Sequence, residues 1–160
     1  TINEQRSLII QKIGENIQIK RFELFEITDS SSAGLYSHMG GKIVCLTIID
    51  GNADQESLAK DIAMHTAAEA PQYLSVEDIP DTIIEQEKNI ARSQMQGKPE
   101  NIMDKIITGK MNAFYDQVCL IKQKFIKDPD FTIEKLLQNK SKEVGSDLRL
   151  VQFVRWSIGQ

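Results

Sequence analysis

The sequence lacks any apolar stretch long enough to cross a membrane, which takes about 18 consecutive residues. Its longest apolar run, residues 43–49, is typical of a buried strand instead. Residues 1–20 contain no continuous apolar stretch of the kind that a signal peptide needs. We therefore expect a cytoplasmic protein with no membrane partner.

Cysteine and histidine are scarce, which argues against disulfide and metal chemistry. The two cysteines, Cys45 and Cys119, lie far apart in apolar surroundings, so we expect two reduced, buried thiols. The two histidines, His38 and His65, do not show the close His/Cys spacing of a zinc site. The sequence therefore predicts no metal and no cofactor.

An excess of basic residues is also missing, since the formal net charge is −4. Nucleic-acid binders usually carry a basic patch or stripe, so we expect no nucleic-acid partner. Gly40-Gly41-Lys42 resembles a phosphate loop only superficially, because such a loop needs Ser or Thr directly after its lysine. Ile43 stands there instead. This segment predicts a β-turn, and we expect no direct binding of a nucleotide.

The residues that are present predict one α+β domain. Of 160 residues, 41% are apolar and 26% are charged, which is the balance of a globular protein. Apolar spacing predicts a helix over 3–13 that Gly14 ends. A second helix is predicted over 54–70, with Asp54 as its N-cap and Pro71 after its end. Its small-residue stripe, which we expect to face the sheet, is Ala59, Ala63 and Ala67.

Alternation of apolar residues predicts the strands. Residues 15–27 alternate with two slips of phase, which predicts a long strand that is bulged or bent. A loop is predicted over 28–34, because aspartate, serine and glycine dominate it. Strands over 35–39 and 42–50, joined by a turn at Gly40-Gly41, complete a predicted antiparallel meander with 15–27.

A helical hairpin is predicted next. Residues 79–96 and 99–115 have helical spacing, and Gly97-Lys98-Pro99 can end one helix and begin the other. Such a short link makes the helices antiparallel, and the polarity of the first arm predicts that the hairpin protrudes. The residues expected to face one another are Ile79, Ile83 and Ile90 on the first arm and Met103, Ile107, Met111 and Phe114 on the second.

The C-terminal part predicts an extended segment over 118–126, a short helix over 131–139 and a strand over 148–158 that joins the sheet. The predicted domain division is a core of 1–78 and 116–160, with the helical hairpin 79–115 inserted in it.

Candidate catalytic groups are few. The serines at 30–32 lie near His38 in sequence, but no nucleophile elbow surrounds them. His65 lies one helical turn after Asp61, so the two are expected to form a structural pair. His38 stands at a glycine-framed hairpin tip, where partner contact and plain solvent exposure explain the pattern equally well.

Six segments, in order along the chain, resemble the elongation factor Ts family. They are 13–21 (IGENIQIKR), 36–43 (YSHMGGKI), 58–65 (LAKDIAMH), 96–99 (QGKP), 109–111 (GKM) and 153–156 (FVRW) followed by Gly159. The resemblance covers nearly the whole chain. It implies an α+β fold, in which small antiparallel sheets pack on helices and an antiparallel coiled coil protrudes.

The resemblance also implies a function. The family consists of translation elongation factors that promote GDP release from elongation factor Tu, a GTPase, and that are not themselves enzymes. The family positions matching Ile13, Gly14 and His38 contact that partner. The implied docking edge is therefore Ile13 and Gly14 at a helix end, with His38, Met39 and Gly40 at the hairpin tip. Because the family includes dimers, the resemblance is also compatible with a homodimer.

One part of the family pattern is missing from the sequence. Full-length members carry a small N-terminal helical domain and a first core half with an Asp-Phe pair, whereas Asp130-Phe131 stands in a different context. The resemblance thus implies a fragment that binds elongation factor Tu but catalyses exchange poorly. Two alternatives stay open: a non-exchange interaction module that uses 79–115, and a small hydrolase that uses 30–32 with His38.

Overall fold

The computed structural model describes residues 1–94 and 100–159. Helices and antiparallel strands combine in these residues, which confirms the α+β class. The elements are α1 (Ile2–Ile13), β1 (Ser31–His38), β2 (Ile43–Asp50), α2 (Glu56–Glu69), α3 (Asp81–Ser93), α4 (Glu100–Val118), β3 (Lys124–Phe125), β4 (Asp128–Thr132), α5 (Ile133–Val144) and β5 (Arg149–Ser157). Short 3-10 turns occupy Met39–Gly41, Val76–Asp78 and Leu120–Lys122.

The main sheet has the order β1-β2-β5, with every pair antiparallel. Leu46 on the central strand lies opposite Leu35 on one side and Val154 on the other. The predicted third strand, 15–27, is wrong, because these residues form neither helix nor strand. Their alternation changes phase, so no single face of such a strand could be buried. The C-terminal strand takes that place, as its own prediction stated.

Strand β1 begins earlier than predicted, because Ser31 already pairs with Asp50 where a loop was expected over 28–34. The hydroxyls of Ser30 and Ser31 each donate to the Asp50 carboxylate at 3.1 Å, which ties the strand start to the end of β2. The turn at Met39–Gly41 joins the two strands, which confirms the predicted hairpin.

Helix α2 packs directly on the sheet, which confirms the prediction for its small-residue stripe. A Cβ built on Gly34 would lie 2.0 Å from Lys60 N, so only glycine lets strand and helix backbones approach this closely. The hydroxyl of Thr47 donates to Ala59 O at 2.5 Å across the same contact. Asp54 is not the N-cap, because the helix begins one residue later than its position would require.

The core has two parts. The larger lies between the sheet, α2 and α5, and contains Ile49, Ile62, Leu120, Ile133, Leu137 and Leu150 among others. The smaller lies at the base of the helical hairpin, where Ile79, Val118 and Cys119 are buried. Helices α3 and α4 contact each other as the predicted hairpin.

The hairpin differs from its prediction in detail. Helix α3 begins only after Pro80, and α4 continues through Val118. Ile90 is 49% exposed, whereas its neighbour Ala91 is buried, so the apolar face of α3 is rotated from the predicted one. The predicted turn, Gly97-Lys98-Pro99, lies outside the described residues.

The C-terminal predictions were partly right. The extended segment over 118–126 instead contains the end of α4, a 3-10 turn and β3, which pairs with the unpredicted strand β4. Asp130-Phe131 lies in β4. The predicted helix 131–139 is α5, which starts at Thr132 as N-cap and ends at Gly145 in the left-handed conformation.

Helix α1 makes little contact with this body. Helix α1 ends at Gly14 as predicted, and the Gly14 N–H donates to Ile10 O at 2.9 Å. None of its residues is buried. Beyond it, Phe22 and Leu24 are 82% and 88% exposed. No helix in the described part of the chain combines the length and apolarity that a membrane span requires.

Candidate functional site

The tip of the β1-β2 hairpin presents three of the predicted site residues side by side. His38 ends β1, and Met39 and Gly40 follow it with φ angles of 51° and 67°. Positive φ is uncommon for a methionine, and the Met39 side chain is 62% exposed. His38 Nδ1 lies 3.3 Å from the Tyr36 hydroxyl, and this contact orients the exposed ring.

The end of α1 presents the other two predicted residues. Gly14 has a φ of 74°, which caps the helix, and a Cβ built on it meets no atom within 4 Å. Ile13 beside it is 51% exposed. A bare backbone next to an exposed apolar side chain is a geometry that another protein's backbone can approach closely.

One cleft connects the surroundings of the two groups. Gln18 lines it together with Gly41 and Lys42, which directly follow the hairpin tip. Because Gln18 is the fourth residue after Gly14, Gly14 lies no more than about 14 Å from that wall. The cleft thus lies next to the hairpin tip in space and a few residues from the helix end along the chain.

A cavity of about 240 Å³ lies beside His38, and sequence reasoning missed most of its lining. Tyr36 and His38 form one wall, Met64 and Ala67 on α2 form the second, and Ile126 forms the third. The lining is mainly apolar, so the cavity suits an apolar side chain of a partner. Ile126 carried no signal in the sequence, because it reaches the hairpin only through tertiary packing.

Buried His65 holds this third wall. Its Nε2 lies 3.0 Å from Gln123 Oε1, and the Ile126 N–H donates to its Nδ1 at 3.3 Å. Gln123 donates its own amide to Gln117 O, so its oxygen accepts from a protonated Nε2 and the ring is the neutral tautomer. Burial lowers the pKa of His65.

The predicted pair of Asp61 with His65 is wrong. The Asp61 carboxylate instead accepts from Lys127 Nζ at 2.7 Å, because the helical turn directs the two side chains to different neighbours. The Asp61–Lys127 and His65–Ile126 contacts both attach the segment after β3 to α2. His65 is therefore a structural residue next to the candidate site, as the sequence analysis held.

The hydrolase alternative does not survive the geometry. Ser31 and His38 stand at opposite ends of β1, about 23 Å apart for seven strand residues, far beyond hydrogen-bond reach. The Ser32 hydroxyl is committed to Asn52 O and to the Gln55 N–H. The three serines organise the start of the sheet.

Metal and thiol chemistry find no support either. Residues 1–94 and 100–159 contain no group of three or more His, Cys, Asp or Glu side chains able to hold a metal ion. Cys45 and Cys119 are free and buried, which confirms the expected reduced thiols. Burial raises the pKa of both thiols to about 11, so neither is a reactive thiolate.

Comparison with known proteins identifies the family of the chain. The family model described as Elongation factor TS matches residues 1–160. Elongation factor Ts of Protochlamydia amoebophila (strain UWE25) is 54% identical over 160 residues, which are 100% of this chain and 57% of that protein. The proteins of the same name from Chlamydia felis and Chlamydia pneumoniae are 46% and 45% identical, over 99% of this chain and 56% of each relative.

The chain thus spans little more than half the length of these relatives. The similarity nevertheless runs through every described element, from α1 to β5. On this whole-length match, the chain belongs to the elongation factor Ts family.

Proposed function

We propose that this chain binds elongation factor Tu and promotes the release of GDP from it in the cytoplasm, as a guanine nucleotide exchange factor. The observation that carries the proposal is the match of all 160 residues to the family. An exchange factor acts by binding the nucleotide-free GTPase more tightly than the GDP-bound one, and reciprocity then weakens GDP binding by the same ratio. No covalent chemistry is involved.

The docking edge that we propose consists of Ile13, Gly14, His38, Met39 and Gly40. The first two expose backbone at the end of α1, and the other three are exposed on a hairpin tip whose backbone is held by strand pairing. A tip fixed in this way loses little entropy on binding, which favours affinity.

Substitution of Gly14 tests the backbone contact, with Gly145 as a matched control. Both glycines end a helix in the left-handed conformation, at φ 74° and 70°, and a Cβ built on either meets no atom within 4 Å. Asparagine tolerates this conformation. Gly14→Asn should weaken binding to nucleotide-free elongation factor Tu at least tenfold, while Gly145→Asn should leave it unchanged. If the two variants bound nucleotide-free elongation factor Tu with equal affinity, Gly14 would not belong to the docking edge.

His38→Ala tests the tip. The contact of His38 with Tyr36 is exposed, so the fold should tolerate the change. The affinity for elongation factor Tu should fall about tenfold, which is the effect of losing one hydrogen bond or packing contact. Lys135→Ala, on the exposed face of α5, serves as the control. Isothermal titration of the nucleotide-free GTPase measures both variants.

Binding and exchange have to be measured separately. We propose that residues 1–160 bind the GTPase well but accelerate GDP release less than a full-length relative does. In the family, the Asp-Phe pair of the first core half intrudes beside the magnesium site of the partner, whereas Asp130-Phe131 of this chain lies in β4 and not on the docking edge. Elongation factor Tu loaded with fluorescent GDP is mixed with either protein. Release as fast as with the full-length factor would overturn the weaker activity while leaving the binding proposal intact.

We also propose the division into a core of 1–78 and 116–160 with the hairpin 79–115 inserted. In support, the hairpin base has its own apolar cluster around Ile79, separate from the main core. Replacing 84–112 by a short glycine turn should leave the core folded and partner binding intact. Loss of binding with a folded core would favour the alternative, an interaction module that works through the hairpin.

Self-association is a further part of the proposal. The sheet face opposite α2 carries Leu35, which is 61% exposed, in register with Leu46 and Val154. Light scattering across a concentration series measures the mass of the assembly. Leu35→Lys should shift a homodimer toward monomer, and a monomeric wild-type chain at every concentration would end this part of the proposal.

A further inference from the structure

An open cleft of about 540 Å³ lies where the chain after α1 passes the end of the main sheet. Residues 18–21 form one wall, Gly41 and Lys42 form the second, and the last residues of β5 with Trp156 form the third. The Ile158 N–H donates to Lys42 O at 2.9 Å, which fixes the second wall to the third. We call this place the basic cleft.

The basic cleft is positively charged in an acidic protein. Lys20, Arg21 and Lys42 line it, and within the described part of the chain none of the lining residues is acidic. None of these three cations forms an ion pair with a described carboxylate, although the chain carries a net charge of −4. Unneutralised charges that converge on one cleft attract a negatively charged ligand.

Arg21 is already oriented for such a ligand. Its Cζ lies 4.7 Å from the centre of the Trp156 ring, over the ring face. A guanidinium stacked in this way keeps its N–H groups available at its edge, where they match the geometry of a carboxylate. The stack therefore orients the guanidinium without occupying its N–H donors.

We infer that the basic cleft, built from Lys20, Arg21, Lys42 and Trp156, is a docking site for an acidic segment of the protein partner. The inference rests on the proposed function, since it assigns a second contact to the same association. An acidic peptide fits better than a nucleic acid, because Arg21 occupies the Trp156 face on which a base would stack. Apolar Ile19 and Val44 also line the cleft and suit peptide side chains.

The first experiment uses a probe that does not depend on elongation factor Tu. Trp156 is the only tryptophan, so its fluorescence reports on the cleft directly. Hexaglutamate is titrated into the full chain at about 20 mM salt, where exposed charges are weakly screened. We expect a saturable fluorescence change that Lys20→Gln/Lys42→Gln weakens about tenfold. Lys105→Gln/Lys135→Gln, a pair of exposed lysines outside the cleft, should match the wild type.

Arg21 provides a second set of variants. Arg21→Lys keeps the charge and should retain part of the response, whereas Arg21→Gln should lose most of it. Lysine can also keep a cation over Trp156, so urea denaturation of both variants is needed beside the titration: a purely structural role of the stack would lower the free energy of unfolding together with the response. An oligodeoxythymidylate is titrated in parallel. A response to it alone, abolished by the lysine variants, would overturn the inference in favour of a nucleic-acid site.

The second experiment measures association with nucleotide-free elongation factor Tu by stopped flow. The cleft double variant should slow association about tenfold at low salt and hardly at about 1 M salt, while the control pair follows the wild type. If the wild type associated but the cleft double variant and the control double variant associated at the same rate, the inference would be overturned and the proposed function would stand. A specific hexaglutamate response without any association would overturn the proposed function and leave the cleft an acidic-peptide site.

Discussion

Helices α1 and α2 have similar lengths, 12 and 14 residues, but are stabilised in opposite ways. Helix α1 has a capping box at its start and a left-handed glycine at its end, and it buries no residue. Helix α2 has no side-chain N-cap, yet it buries Ala59, Ile62, Ala63, His65 and Thr66. One is held by local hydrogen bonds and the other by the sheet beneath it.

The difference separates the part that folds the protein from the part that we propose docks on a partner. A helix of about 12 residues without tertiary packing is marginal in water, even with good caps. The exposed end of α1 is therefore the more adaptable half of the proposed docking edge. The hairpin tip is held by the paired strands β1 and β2, and is the rigid half.

The largest contrast is expected between truncations of apolar side chains in the two helices. Ile62→Ala removes a fully buried side chain of α2 and should lower the free energy of unfolding by about 2–5 kcal/mol. Leu8→Ala in α1, where the side chain is 59% exposed, should change it by less than about 0.5 kcal/mol. Urea denaturation measures both. Similar losses would mean that α1 packs on the body after all.

A glycine substitution sharpens the role of the α2 contact. The Cβ of Gly34→Ala would lie 2.0 Å from Lys60 N, and because both atoms belong to backbones, strand and helix must separate. We expect the free energy of unfolding to fall by about 3 kcal/mol. Gly109→Ala in α4, with nothing within 4 Å, should instead stabilise by about 0.5–1 kcal/mol. If Gly34→Ala left the free energy of unfolding unchanged, the close approach of β1 and α2 would be contradicted.

The pH dependence of stability tests the histidine under the tip. Burial lowers the pKa of His65, so on acidification the unfolded chain takes up a proton near pH 6.5 while the folded chain does not. The stabilisation is complete above that pH and is lost as the pH falls below it. His65→Gln should therefore lose less stability than the wild type between about pH 7.5 and about pH 5.5.

The control for this measurement is the exposed histidine. His38→Gln removes a side chain at the hairpin tip and should keep the wild-type difference in stability between the two pH values. Denaturation with urea at each pH yields the comparison. If all three proteins lost the same stability, the buried ring would not be the group that titrates.

The smallest effect is expected at the end of α1. Gly14→Ala places a Cβ in a left-handed conformation, at φ 74°, which costs about 1–2 kcal/mol locally. Amides of α1 should then exchange with solvent about fivefold to thirtyfold faster, while amides of α2 stay unchanged. Because α1 is not buried, the global free energy of unfolding should hardly move. Faster exchange throughout α2 would show that the two helices are coupled.

Local signals account for the predictions that succeeded. The end of α1 at Gly14 and the hairpin turn at Gly40 depend on positive φ angles that glycine adopts without strain, so they are visible in a few residues. The small-residue stripe of α2 likewise predicted the approach of the sheet. The tip residues of the candidate site could be placed for the same reason.

Long-range contacts account for the failures. The start of β1 depends on the bonds of Ser30 and Ser31 to Asp50, about twenty residues away. The cavity beside His38 depends on bonds from His65 to Gln123 and Ile126, 58 and 61 residues away. A short window of sequence does not contain both partners of such a contact, so the turn-forming residues over 28–34 predict a loop.

By itself, the order of residues determined the periodicity of each helix, the turns that glycine enforces, and the absence of the spacings that metal or phosphate sites need. Tertiary structure alone decided that β5 and not 15–27 completes the sheet, and that His65 bonds Ile126 and not Asp61. The physical reason is that backbone preferences act over a few bonds. Strand pairing and burial instead depend on residues far apart in the sequence. The fold that forms is the one that pairs the most backbone groups and buries the most apolar side chains.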